Sequence, residues 1–176
     1  LTQSFNRSVH MKRLNTNGIG LPVLSGRNIH QFTATYTPPI YWIESINVPH
    51  VGQLAKTLEQ PVLAYRMTAH PTNEVTLIGT IIPPSMATDY KLNLIICRDE
   101  RQFNLPFLCG WLNSLVINYC LRQFHAGTDI KQSTVEQLPL PRNNTILFDV
   151  SMRTLALIYD STNYQDLLVR YGMSTI

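Results

Sequence analysis

Acidic side chains are missing from the start of this chain. None precedes Glu44, whereas Arg7, Lys12, Arg13 and Arg27 all fall before it. The formal net charge of the whole is only +3, so the imbalance is local. The middle of the chain balances, and the tail after Arg142 is slightly acidic. A basic end suits contact with phosphate. Long apolar runs are also lacking. No stretch reaches the roughly 18 residues that a membrane span needs, so no membrane association is expected, and no signal-peptide pattern opens the chain. Cysteine is scarce. Cys97, Cys109 and Cys120 are odd in number and match no zinc spacing. They read as free thiols in a reducing cytosol, which places the protein in the cytoplasm. The sequence opens on Leu1 rather than methionine and is read as a piece of a longer protein.

Complete catalytic constellations are absent too. His10, His30, His50, His70 and His125 are scattered singly, with no HExxH, no glycine-rich phosphate loop and no GxSxG. Two partial motifs remain. Thr37-Pro38-Pro39-Ile40 has the prolines of the Asn/Asp-Pro-Pro-aromatic loop that DNA amino-methylating enzymes use. It lacks both the side-chain amide or carboxylate that accepts from the target amine and the ring that stacks on a flipped base. Glu74 with Asp89-Tyr90-Lys91 has the acids and lysine of a metal-dependent nuclease site, which keeps that reading as an alternative. No catalytic residue, metal site or cofactor is assigned to this chain.

At 176 residues and 44% hydrophobic, the chain is long enough for one real core. Its first 20 residues are polar, with an Asn15-Thr16-Asn17-Gly18 turn, and read as a loose lead-in. Short apolar runs follow: residues 21–24, an alternating 28–35, 41–43, 62–67, 75–82 and 92–97. The run over 75–82 is continuous enough to be buried on both faces. The period then changes. Phe107, Leu108, Trp111, Leu112, Leu115 and Tyr119 fall at helical spacing, which predicts one helix over about 105–124 with Gly127 just past its end. A short exit segment covers 135–140, and further helices are expected near 148–159 and 164–171, with a short helix or turn over 52–60. Strands first and helices last predict an α+β fold, a twisted mixed sheet of short strands followed by helices. The domain plan is a lead-in over 1–20, a recognition domain over 21–142 and a helical segment over 143–176 packed on it.

Polar residues at turns and strand ends supply a binding reading. Asn and Gln pair bidentately with adenine and Arg with guanine, while Arg and Lys also meet phosphates. The candidates are Arg27, Asn28, Gln31, Arg66, Thr72, Asn73, Arg98, Arg101, Arg122, Lys131 and Gln132. A second alternative from another class is a protein–protein module docking through the Trp111 helix.

Four segments in order carry a family likeness: Leu-Pro-Val-Leu-Ser-Gly-Arg-Asn-Ile-His-Gln-Phe (Leu21 to Phe32); Tyr65-Arg66 with Thr-Asn-Glu-Val-Thr-Leu-Ile and Ile-Ile-Pro-Pro (through Pro84); Leu-Asn-Ser (Leu112 to Ser114); and Leu-Pro-Leu-Pro (Leu138 to Pro141). Together they resemble the C-terminal target-recognition region of adenine-N6 DNA methyltransferases, in particular the fused type II restriction–modification enzymes and related phage-defence methyltransferases. The Leu-Asn-Ser helix and proline-rich exit are also similar to the specificity subunits of type I restriction systems. The likeness covers about Leu21 to Pro141. One departure is Val75, where the family's turn carries an Arg, so no role of that Arg transfers. The resemblance implies a sequence-specific reader of double-stranded DNA. Methylation would fall to an N-terminal domain in cis that binds S-adenosylmethionine.

Overall fold

The computed structural model describes residues 10–48, 58–70, 72–97, 104–125, 127–141, 143–158 and 169. Among the described residues seven strands come first: β1 (Leu14–Asn15), β2 (Leu21–Leu24), β3 (Tyr41–Ile43), β4 (Val62–Arg66), β5 (Gly79–Ile82), β6 (Ala87–Thr88) and β7 (Leu92–Ile95). Helices follow: α1 (Leu105–Asn113), α2 (Leu115–Phe124), α3 (Gln132–Val135) and α4 (Asn144–Ile158). The class is α+β, as expected. The helices expected over 52–60 and 164–171 lie largely outside the described residues.

The strands divide between two sheets rather than forming one. The first has the order β1-β3-β2-β6, antiparallel except for the parallel pair of β2 with β6. The second, β5-β4-β7, is antiparallel throughout. Part of the polar lead-in belongs to the first sheet, since Leu14 and Asn15 pair with Ile43 and Trp42.

The second sheet is buried on both faces, which is why its strands are nearly all apolar. Alternation along β4 sends Leu63 and Tyr65 to one side and Val62 and Ala64 to the other. Leu63, Tyr65, Leu77 and Ile81 pack with Phe107, Trp111 and Leu112 of α1. Val62, Ala64, Ile82 and Leu92 pack with Leu24, Ile29 and Ala34 from the N-terminal part. Behind α1 lies α4. A Cβ on Gly110 would overlap Thr154 Oγ1 and lie 2.6 Å from Val150 Cγ1, so glycine sets how closely these helices approach.

Three further expectations are corrected. Residues 28–35 do not form a strand. Ser25 and Asn28 close a capping box around a 3-10 turn at Gly26–Asn28. The chain then reverses through a His30–Thr33 bridge, with Phe32 at a φ of 62°. The run over 75–82 is a regular strand only from Gly79, although Thr76 through Pro83 are buried.

The third correction concerns the helix over 105–124, which breaks at Ser114. Its backbone is extended there (ψ 145°), and its hydroxyl accepts a hydrogen bond from Ile117 N as the N-cap of α2. The break changes which face of the second half meets the core, so that Ile117 and Leu121 are buried in it. Leu115 is 82% exposed and Tyr119 67%, although the helical spacing placed both on the apolar face.

The break also aims two asparagines at the open edge of β5. Asn113 Oδ1 accepts from Gly79 N at 3.0 Å, and its Nδ2 donates to Gly79 O at 2.7 Å and to Cys109 O at 2.9 Å. The amide thus copies one peptide unit of a neighbouring strand. Asn118 Oδ1 accepts from Thr76 N and Leu77 N, and its Nδ2 donates to Leu77 O, Leu112 O and Ser114 O. Gly79 permits this approach, since a Cβ there would stand 3.2 Å from Leu112 Cδ1 and 3.3 Å from Ala64 O.

Two outcomes follow. Asn113→Ala leaves the buried N–H of Gly79 unpaired and takes one of the donors from its carbonyl, and should cost about 2 kcal/mol, read as a lower urea midpoint; an unchanged midpoint would refute the edge clamp. Burial, assisted by Glu136, raises the Tyr65 phenol from 10.0 to about 12. The folded state therefore holds this proton where the unfolded state has lost it, so stability should fall as pH rises from 10 towards 12. Tyr65→Phe should flatten that part of the stability–pH curve.

Candidate nucleic-acid interface

Three cations distant in sequence meet on one surface. Ser25, Gly26, Arg27, Arg66, Thr68 and Lys91 line a cleft of about 350 Å³, and no acidic side chain is among them. Arg27 is exposed on the 3-10 turn after β2. Arg66 ends β4, and its Nη2 donates to Ile29 O at 2.5 Å. Its Nε is buried with no hydrogen-bond partner among the described residues. Burial lowers the guanidinium from its ordinary value, and the nearby Tyr36 phenol acts in the opposite sense. Lys91 is placed by a turn in which its N–H donates to Asp89 Oδ1 at 2.9 Å. Its ammonium lies 4.8 Å from the centre of the Tyr90 ring. A second acid adjoins the lining through Thr68, whose hydroxyl donates to Asp129 Oδ1 at 3.3 Å.

A loop braced from beneath stands beside this cleft. Asn28 is 2% exposed. Its Oδ1 accepts from Ser25 N, and its Nδ2 donates to Thr37 O, Thr37 Oγ1 and Pro38 O. The Thr37 hydroxyl donates to Arg27 O at 3.0 Å. The Thr-Pro-Pro segment is therefore a structural anchor of this loop. Further along, Gln31 Nε2 donates to Asn113 O and Phe32 N to Gly79 O. The loop's outer side carries Thr33, Thr35 and Tyr36, with the His30 ring 4.8 Å from that of Tyr36.

The expected contact residues thus separate by burial. Arg27 and Arg66 line the cleft. Asn28 is corrected from contact to brace, because every polar atom of its amide is engaged inside the fold, and Gln31 is half-buried and tied to Asn113. Arg122 holds the Thr-Asn-Glu turn. Its Nε donates to Thr76 Oγ1 at 2.7 Å, and its Nη2 donates to Asn73 O and Glu74 O. Thr72 is exposed and paired with His70 Nδ1. Asn73, Lys131 and Gln132 are exposed outside the cleft, with the Gln132 amide on Glu136 Oε1. Arg98 and Arg101 lie outside the described residues.

Sequence reasoning missed Lys91, Thr68, Tyr36 and His30 as members of this surface. Lys91 carried a legible signal, because Asp-Tyr-Lys after two prolines is a turn with the Asp as its cap. Asp89, the acid of the nuclease alternative, is 2% exposed, and its Oδ1 accepts from Lys91 N in that turn. Among the described residues no cluster of three or more His, Cys, Asp or Glu is placed to hold a metal. Trp111, the centre of the docking alternative, is buried, with Nε1 donating to Pro139 O at 2.9 Å. Cys109 is fully buried, and burial pushes its thiol up to about 12, so it is no nucleophile. Among the described residues no helix is long and apolar enough to cross a membrane.

No family model matches the chain, and a search of curated proteins returns no match.

Because Asn28 holds the loop through buried hydrogen bonds, Asn28→Ala should destabilise the fold by about 1–3 kcal/mol in urea unfolding. A loss below about 0.5 kcal/mol, the scale of an ordinary surface substitution, would show that the loop is held by other means.

Proposed function

We propose that this chain is the sequence-recognition domain of a bacterial adenine-N6 DNA methyltransferase or fused restriction–modification enzyme, working in the cytoplasm on double-stranded DNA. Methyl transfer belongs to an N-terminal domain in cis that binds S-adenosylmethionine, and this chain supplies no chemical step. The observation that carries the reading is the cleft of Arg27, Arg66 and Lys91 with no acid in its lining. Such a surface suits a phosphodiester backbone, which gives affinity and register without sequence information.

The ordered motifs support the same reading. The segments that carry the family likeness meet one another in space. The Leu-Asn-Ser segment clamps the strand that follows the Thr-Asn-Glu turn. The opening segment reaches both through Gln31 and Phe32, and Arg66 holds that opening at Ile29. Their order in the sequence is thus matched by a shared packing role.

Phosphate contact makes a quantitative demand. Lys91→Gln and Arg27→Gln should each weaken binding to duplexes of any sequence, and each should reduce the slope of log affinity against log salt by about 1. Fluorescence anisotropy over a salt series measures both. Slopes unchanged in both variants would remove the cleft from the interface. In the whole enzyme, exchanging this domain for that of a relative should change the methylated sequence, and an unchanged sequence would sink the reading.

A further inference from the structure

The loop beside the cleft is built more firmly than its burial explains. Its inner side uses the buried amide of Asn28, the Gln31 amide and a left-handed Phe32 whose N–H reaches Gly79 O. A bulky residue holds that backbone conformation only where its surroundings impose it. The outer side returns no packing for this. Thr33 and Thr35 are exposed, and Tyr36 is 62% exposed with its ring against His30. A loop fixed before any partner arrives loses less conformational freedom on contact. It is also tied to two of the cleft's cations, through Thr37 to Arg27 O and through Arg66 to Ile29 O.

We propose that the loop from His30 to Tyr36 reads bases in a DNA groove while the cleft holds the backbone, with Tyr36 and Thr35 as specificity-determining side chains. The assignment rests on the DNA-recognition reading above. The chemistry fits base edges: a threonine hydroxyl both donates and accepts, its methyl packs on the thymine methyl, and a tyrosine adds a phenol and an apolar ring face. The amide side chains of the same loop are the residue types that usually pair with adenine, yet here they lie inward as braces. Base contact passes to their exposed neighbours.

The test selects duplexes from a randomised library with the full chain, its Tyr36→Ala variant and its Thr35→Val variant. Three quantities are measured: base preference, low-salt affinity for random-sequence duplex, and melting temperature. Both side chains are exposed, so melting should not move. Each variant should lower the ratio of preferred to random-sequence affinity about tenfold, the scale of one lost base contact. Affinity for random duplex should stay within about twofold, since phosphate contacts supply it. A wild-type preference retained in both variants overturns the loop assignment and leaves the DNA reading standing. A wild type that binds single strands in preference to duplex, or duplex without base preference, overturns the loop assignment by a different result. A wild type that binds no duplex at low salt removes both.

Discussion

Among the described residues no strand lies beside the outer edge of β5, and its backbone groups are buried under helices. Two asparagine side chains stand in for the missing strand: Asn113 pairs with both polar groups of Gly79, and Asn118 accepts from Thr76 and Leu77. Much of the remaining geometry depends on that substitution. The helix breaks at Ser114, which separates the two asparagines onto α1 and α2. Gly79 lacks a side chain, so α1 can lie close enough for Asn113 to reach. The cost of an unpaired buried peptide group, about 1–3 kcal/mol, is large against the few kcal/mol by which a domain is stable. The clamp is therefore a condition of the fold.

The same clamp carries the proposed interface. Gly79 O also accepts from Phe32 N, and Asn113 O accepts from Gln31 Nε2, so the loop after β2 is fastened to the sheet edge and to the helix together. Arg66, leaving the adjacent strand, holds the loop at Ile29 and faces the cleft. The support and the cleft are thus a few bonds apart. The loop keeps its amides inward and presents hydroxyls and a phenol outward.

Polar residues in this chain fall into two populations that a sequence does not label. Asn28, Asn113, Asn118 and Asp89 are nearly fully buried and spend their polar atoms on backbone groups. Arg122 does the same at the surface, fixing the turn that precedes β5. Listing amides and arginines by their ability to pair with bases therefore mixes buried braces with exposed side chains. What distinguishes them is where the backbone places each one, and Lys91 joined the cleft only because its turn brings it beside Arg27 and Arg66.

The residues alone determined the α+β class. β2, β3, β4 and β7 could be located because apolar and β-branched runs bounded by Pro, Gly and polar turns have few other conformations. The start of α1 followed from 3.6-residue spacing. The burial of the 75–82 run on both faces was legible in its lack of polar alternation. Tertiary structure decided the rest. Apolar spacing continued through Ser114, so the helix break could not be read from period; it exists because the edge of β5, distant in sequence, needs two amide partners. The same holds for the loop over 28–38 and the cleft beside it. Their positions depend on hydrogen bonds to Gly79, Asn113 and Arg66, and local sequence carries no information about partners that the fold brings together.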